Sequence, residues 1–214
     1  MSPACVLFDL DGTLIDHFKA IHRCHTHAMT QLGLPAPTMA QVRAAVGGGV
    51  ELAVERLVGP ALKAAALAIY RPYWDATMLD DVELLPGARE LLTALRQRGA
   101  RTAVFTNKHG PSSRQVCTHL GLTPLLDGNH GATDTPWLKP EVAWTRQILA
   151  GLGVSAADTL LVGDSPFDVA TARNAGLGFI GVTTGTHSAE ELRAAGAARV
   201  CADLVEVARE LGIG

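Results

Sequence analysis

The stretch Cys5-Val6-Leu7-Phe8-Asp9-Leu10-Asp11-Gly12-Thr13-Leu14-Ile15-Asp16 decides how the rest of the chain is read. Cys5 to Phe8 is a short, uninterrupted apolar run, the length of a parallel strand covered on both faces. It ends in two acids, Asp9 and Asp11, followed at once by Gly12 and Thr13. Open α/β sheets bind their ligands outside the carboxyl ends of the strands, where these acids stand. Side chains two apart on extended backbone point the same way, so both carboxylates can face one site. A strand-end Asp can act as a nucleophile that takes up a phosphoryl group, and a second acid beside it can move a proton. Two adjacent carboxylates repel, and a hard cation such as Mg2+ relieves that repulsion. A strand followed by an Asp-Gly turn with both acids solvated would also account for these letters.

Working outward, the pattern after Asp16 is helical: 17–32, 38–45, 50–58 and 61–74 read as four helices, with no strand pattern before about Leu84. From there strands and helices alternate. Strands are expected at 101–106, 129–132, 159–163, 179–182 and 198–201, with helices at 86–98, 112–120, 140–152 and 168–175 and after Ser188 and Asp203. This alternation predicts an α/β fold, a doubly wound parallel sheet with right-handed crossovers. The helical block following the first strand predicts a cap inserted into it, giving a core of residues 1–16 and 84–214 and a cap of 17–83.

Three later stretches repeat the pattern of chemistry at a strand end or helix start. Thr102 to Phe105 runs into Thr106-Asn107-Lys108, where a hydroxyl and a following backbone N–H can hold a phosphoryl oxygen, although Thr-Asn also serves as ordinary turn chemistry. Leu138-Lys139-Pro140 opens a segment read as a helix, and a lysine there opposes the helix dipole unless an anion offsets it; a solvated surface lysine is the alternative. Leu160 to Gly163 ends in Asp164, with Asp168 one helical turn on, placed to orient Lys139, to hydrogen-bond metal-bound water, or simply to favour the helix N-terminus.

In order, Asp9-Leu10-Asp11-Gly12-Thr13-Leu14, Thr106, Lys139-Pro140 and Gly163-Asp164-x-x-x-Asp168 resemble the four motifs of the haloacid dehalogenase superfamily, and Thr106-Asn107-Lys108 is similar to its phosphoglycolate phosphatase-like subgroup. Val142 stands where the family often has a further proline. The resemblance implies a Mg2+-dependent phosphatase acting on a small phosphorylated metabolite, with phosphoglycolate the first substrate to consider. It implies Asp9 as the nucleophile that becomes an aspartyl-phosphate, Asp11 as acid and base, and Thr106 and Lys139 on the phosphoryl oxygens. Leu10, Gly12 and Asn107 would contribute around the phosphate through the backbone. Asp9, the Asp11 carbonyl and Asp164 would hold Mg2+, with Asp168 behind them. Asp11 sorts the branches, because dehalogenase and phosphonatase relatives lack an acid there. Lys19 and Lys63, the cap lysines, carry no Schiff-base signature. A β-phosphoglucomutase-like mutase, a pyrophosphatase and a non-catalytic binding module remain as other readings.

In the cap, Val46-Gly47-Gly48-Gly49-Val50 looks like the glycine turn that such proteins aim at the active site, with Gly48 as its candidate contact, although a plain helix connection would read the same. Arg56 and Arg71 are candidates for a substrate carboxylate. His17 follows Asp16 at the expected hinge. His22 and His25, one turn apart beside Cys24 and His27, are spaced as metal ligands can be, but only part of the set shares a helical face. The net charge of −3 and the lack of a basic stripe argue against nucleic acid. No apolar stretch approaches a membrane span, and four scattered cysteines without a C-x-x-C pair predict a reduced, cytoplasmic protein, monomeric or homodimeric.

Overall fold

Cys5–Phe8 forms β1, buried throughout, at the centre of a six-stranded parallel sheet. The computed structural model describes residues 3–213. The strands are β1, β4 (Arg101–His109), β5 (Gly128–Ala132), β6 (Thr159–Gly163), β7 (Gly178–Val182) and β8 (Val200–Cys201). Their spatial order is β5-β4-β1-β6-β7-β8, with every pairing parallel. β1 can be apolar at every position because both faces are covered. Val6 and Phe8 point into one layer with Val104, Val162, Ile180 and the leucines of α5 (Ala88–Gln97). Cys5 and Leu7 point the other way, onto Phe105, Leu161, Trp144 and Ile148, the last two from α7 (Val142–Leu152). The strand order reverses at β1 and β6, which places the crevice of the sheet at their carboxyl ends.

The fold class is the expected one, and the remaining helices of the sheet, α6 (Gly110–His119), α8 (Pro166–Ala175), α9 (Ala189–Ala194) and α10 (Leu204–Glu210), follow the alternation. Ser188 and Glu191 cap α9 reciprocally, and Asp203 accepts the Glu206 N–H at the start of α10. Three local readings need correction. Two-residue strands β2 (Ile15–Asp16) and β3 (Glu83–Leu84) pair antiparallel where no β3 was expected, because two residues carry no periodicity. Strand β4 continues to His109 through an irregularity after Phe105. The helix expected from Pro140 begins at Val142, so Lys139 lies in the turn ahead of it rather than at its first residues.

Between β2 and β3 stand α1 (Phe18–Gln31), α2 (Met39–Ala45), α3 (Val50–Val58) and α4 (Lys63–Thr77). Phe18, Ile21, Cys24, Val42, Tyr70 and Trp74 make an apolar cluster of their own, separate from the two layers of the sheet. His25 is drawn into this packing, with its ring 4.8 Å from that of Tyr70. Burial, helped by nearby His22, pushes its imidazole down from the ordinary 6.5 to about 4.

Leu7→Ala removes a side chain with no collapse route between two covered faces and is expected to cost about 2–5 kcal/mol, read as a lowered urea midpoint at unchanged slope. His25 favours the folded state above its unfolded value and loses that contribution as pH falls from 6.5 towards 4. The thermal midpoint of the native chain is therefore expected to drop more steeply across that interval than that of His25→Phe. Parallel slopes would contradict the burial of a neutral imidazole.

Candidate active site

Asp9 leaves the tip of β1 with its backbone N–H donating to Val162 O of β6 at 2.9 Å. The pairing of Phe8 with Val162 sets the ends of β1 and β6 side by side, so Asp9 and Asp164 emerge together. Asp168 sits on the first turn of α8, where its Oδ2 accepts from the Ser165 N–H at 3.1 Å and hydroxyl at 2.6 Å. Asp9, Asp164 and Asp168 each offer an oxygen within 4.8 Å of the others, all three buried. Two glycines make this approach possible. Gly12 turns at φ +84°, and a Cβ there would lie 2.9 Å from Asp164 Oδ2 and 2.6 Å from Gly185 Cα. A Cβ on Gly163 would fall 2.3 Å from the Asp168 carboxyl carbon.

Lys139 enters this cluster from the turn before α7. Its Nζ donates to Asp9 Oδ1 at 2.9 Å and to Asp168 Oδ1 at 2.6 Å, and the residue is buried. What holds it is not a helix dipole but Asn107: the Lys139 N–H donates to Asn107 Oδ1 at 2.8 Å, and Asn107 Nδ2 donates to Lys139 O at 3.2 Å. Burial would lower the Lys139 ammonium, yet the Asp168 and Asp9 charges carry it above the ordinary lysine range. Burial raises Asp9, with Lys139 opposing. Asp164 is pushed up to about 8, by burial first and then by the charges of Asp9 and Asp168. One ammonium among three carboxylates leaves excess negative charge, and an all-oxygen donor set of this kind suits a hard divalent cation such as Mg2+.

Asp11 is near this cluster but differently engaged. Lys108 Nζ donates to both of its oxygens, at 3.0 and 2.9 Å, and His17 Nδ1 lies 3.4 Å from Oδ1. Burial raises the Asp11 carboxyl, but Lys108, with His17 behind it, brings it well below the usual carboxylate range. The Lys108 ammonium rests 4.5 Å over the Trp74 ring, and His17 donates from Nε2 to Met78 O at 2.5 Å. Thr106, buried, accepts the Lys108 N–H at 3.2 Å and lines the same cavity.

That cavity measures about 520 Å³ and lies between the strand tips and the helices α1, α3 and α4. Asp9, Asp11, Thr106, Asn107, Asp164 and Gly48 line it. Gly48 also approaches the Phe167 ring of α8, and Asn107 Nδ2 reaches Gly47 O at 3.2 Å. The five side chains Asp9, Asp11, Thr106, Lys139 and Asp164 are thus brought to one end of the sheet, with Leu10 between the first two acids and Gly12 directly after them. Of the cap candidates, Arg71 reaches the cavity rim, where it pairs with Glu51 at 3.0 Å. Arg56 does not reach it and donates to Ala45 O instead. The imidazoles diverge: His22 is bonded to Pro37 O, His27 is stacked on Tyr73, and His25 faces Tyr70.

Sequence reasoning missed Thr186 and Arg43. Thr186 donates to Asp164 Oδ2 from its N–H at 2.8 Å and its hydroxyl at 3.0 Å. Its position just past the carboxyl end of β7 was the available signal. Arg43 of α2 donates to Gly185 O at 2.9 Å, so the cap holds the loop that carries Thr186. Its guanidinium lies 4.0 Å over Phe18, and nothing in its local sequence marks it.

The sequence model of haloacid dehalogenase-like hydrolases matches residues 6–182. A phosphoglycolate phosphatase from Rhodospirillum rubrum is 35% identical over 222 residues, covering 98% of this chain and 91% of that protein. One from Yersinia pestis is 32% identical over 194 residues, covering 87% and 84%. Among solved structures, a haloacid dehalogenase-like family hydrolase from Streptococcus pneumoniae shares the fold with a TM-score of 0.89 at 24% identity, covering 97% of this chain and 98% of that one. Described as a predicted phosphatase, a protein from Clostridium acetobutylicum superposes with a TM-score of 0.90 at 26% identity, covering 99% of each chain. With a family model over most of its length and a relative of this identity along nearly all of it, the chain belongs to the haloacid dehalogenase-like hydrolases, among their phosphoglycolate phosphatase-like phosphatases.

Proposed function

We propose that this phosphatase hydrolyses a small phosphomonoester in two steps through an aspartyl-phosphate on Asp9, with Mg2+ as cofactor. The observation that carries the proposal is Lys139, whose one buried ammonium ties Asp9 to Asp168 with Asp164 alongside. Burial raises the Asp9 carboxyl, and the Lys139 charge opposes it, favouring the anionic form that can act as a nucleophile. An Asp9 oxygen forms the new bond to phosphorus as the bond to the leaving oxygen breaks. Asp11 gives that oxygen a proton, then takes one from the water that cleaves the acyl phosphate. Its ionised state against Lys108 suits the second task, and the first requires that it enter the complex protonated. Thr106, Lys139 and the N–H groups beside Leu10 and Asn107 offset charge on the remaining phosphoryl oxygens. Asp9, Asp164 and the Asp11 carbonyl would hold Mg2+, which when bound supplies further charge neutralisation at the phosphoryl group. Asn107 to Gly47 and Arg43 to Gly185 tie the cap to the core beside the site, where closure would exclude bulk water.

The substrate in the relatives' names, phosphoglycolate, is the first ester to assay. Four buried free thiols suit a reducing compartment such as the cytoplasm. No helix of the described residues is long and apolar enough to cross a membrane.

Asp9→Asn is expected to lower phosphate release at least about 10³-fold while leaving the fold intact, since it removes the nucleophile and keeps the shape. Comparable turnover in that variant would refute the covalent route. Added Mg2+ is expected to raise the thermal midpoint of the native chain, and Asp164→Asn to abolish the rise. An equal rise in both would remove Asp164 from the metal set.

A further inference from the structure

The cavity over the strand tips has two ends of different chemistry. Its floor is the acidic and cationic machinery described above. Its roof, where the leaving group of an ester bound by Asp9 must lie, is built of rings and aliphatic side chains. Ile21 and His25 come from α1, Val50 from α3, and Tyr70 and Trp74 from α4, while Trp137 closes the side nearer Lys139. Tyr70 and Trp74, four residues apart on one helical face, lie parallel with centroids 5.9 Å apart. His25 continues the column on one side and His17, 4.9 Å from Trp74, on the other. Burial keeps the His25 imidazole uncharged at neutral pH, so it adds to the neutral wall.

The charges on this lining are arranged against an anionic leaving group. Lys108 is occupied by Asp11, and Arg71 by Glu51. Glu51 and Asp75 add two carboxylates at the rim. The lysine and the arginine among the described lining residues thus each already face a carboxylate, Arg71 through an exposed pair, and His109 also lines the cavity. A space of about 520 Å³ also falls in the range of pockets that enclose drug-sized ligands, well beyond what a phosphorylated two-carbon acid fills.

We propose that the alcohol released by this enzyme is uncharged and carries an apolar or aromatic ring, seated against Tyr70, His25 and Trp74. The proposal rests on the phosphatase reading and names its substrate class. The column's ring faces are turned on one another, so a ligand ring meets their edges in tilted, edge-to-face geometry, with Ile21 and Val50 beside it. A carboxylate in the same place would be stripped of water without a partner. Phosphoglycolate then fits the floor and not the roof.

Benzyl phosphate and phosphoglycolate both release primary alcohols, so their comparison isolates the roof from the chemistry of bond cleavage. With the full chain and Mg2+, kcat/KM for benzyl phosphate is expected to exceed that for phosphoglycolate by about tenfold or more. Tyr70→Ala is expected to lower the benzyl value by about tenfold and to leave phosphoglycolate within about twofold. Val50→Ser, at a half-buried position, should move the ratio in the same direction by a smaller factor and guards against misfolding of the first variant. Phosphoglycolate hydrolysed as well as or better than benzyl phosphate would overturn the inference and leave the phosphatase reading standing. Equal losses on both esters in the variants would overturn it too. Phosphate released from neither ester, or released equally by Asp9→Asn, would take down both readings.

Discussion

The contact on which the site depends is the Lys139 ammonium between Asp9 and Asp168. Three carboxylates gathered at the carboxyl ends of the central strands repel one another in a medium that screens poorly. A buried charge without a partner costs several kcal/mol, so removing this one ammonium would leave the acids to neutralise by protonation or to move apart. The geometry around it follows from that constraint. The β1–β6 register brings Asp9 and Asp164 together, the capping box of α8 aims Asp168 inward, and Asn107 holds the Lys139 backbone on both its N–H and its carbonyl. Burial, and then the charges of Asp9 and Asp168, push Asp164 up to about 8, and the negative charge left in the cluster makes a divalent cation its natural complement.

The cap takes part in the same electrostatics rather than merely covering it. Lys108 is shared between the Asp11 carboxylate and the Trp74 face, so an acid on the core is positioned by a ring on the cap. Arg43 and Asn107 span the same seam, one to the loop behind Asp164 and the other to the glycine turn. Motion of the cap would thus be felt at Asp11 and at the Thr186 loop through identifiable bonds. Trp74 borders both the cavity and the Lys108–Asp11 pair, so the cap's lining and the core acid meet at one ring.

Much of this was legible in the letters for a physical reason. Parallel strands covered on both faces must be apolar throughout, and their carboxyl ends must carry the chemistry, so Cys5–Asp9 and Leu160–Asp164 announce both strand and site. Helix caps are local, and Ser188-x-x-Glu191 formed as its spacing predicts. The β3 strand escaped because two residues carry no period, and the start of α7 was misplaced because proline marks a turn as readily as a first helical residue.

The sequence by itself therefore determined the sheet, the acids at its strand tips and the residue types needed for phosphoryl chemistry, because these obey rules acting over a few neighbouring residues. Only the tertiary structure decided what those residues touch. That Asn107 and not a helix dipole holds Lys139, that Lys108 engages Asp11, that Arg43 and Thr186 support the Asp164 loop, and that Arg56 turns away are outcomes of packing between segments far apart in the chain. Contacts of that kind depend on where two surfaces meet, and no local pattern of letters encodes the meeting.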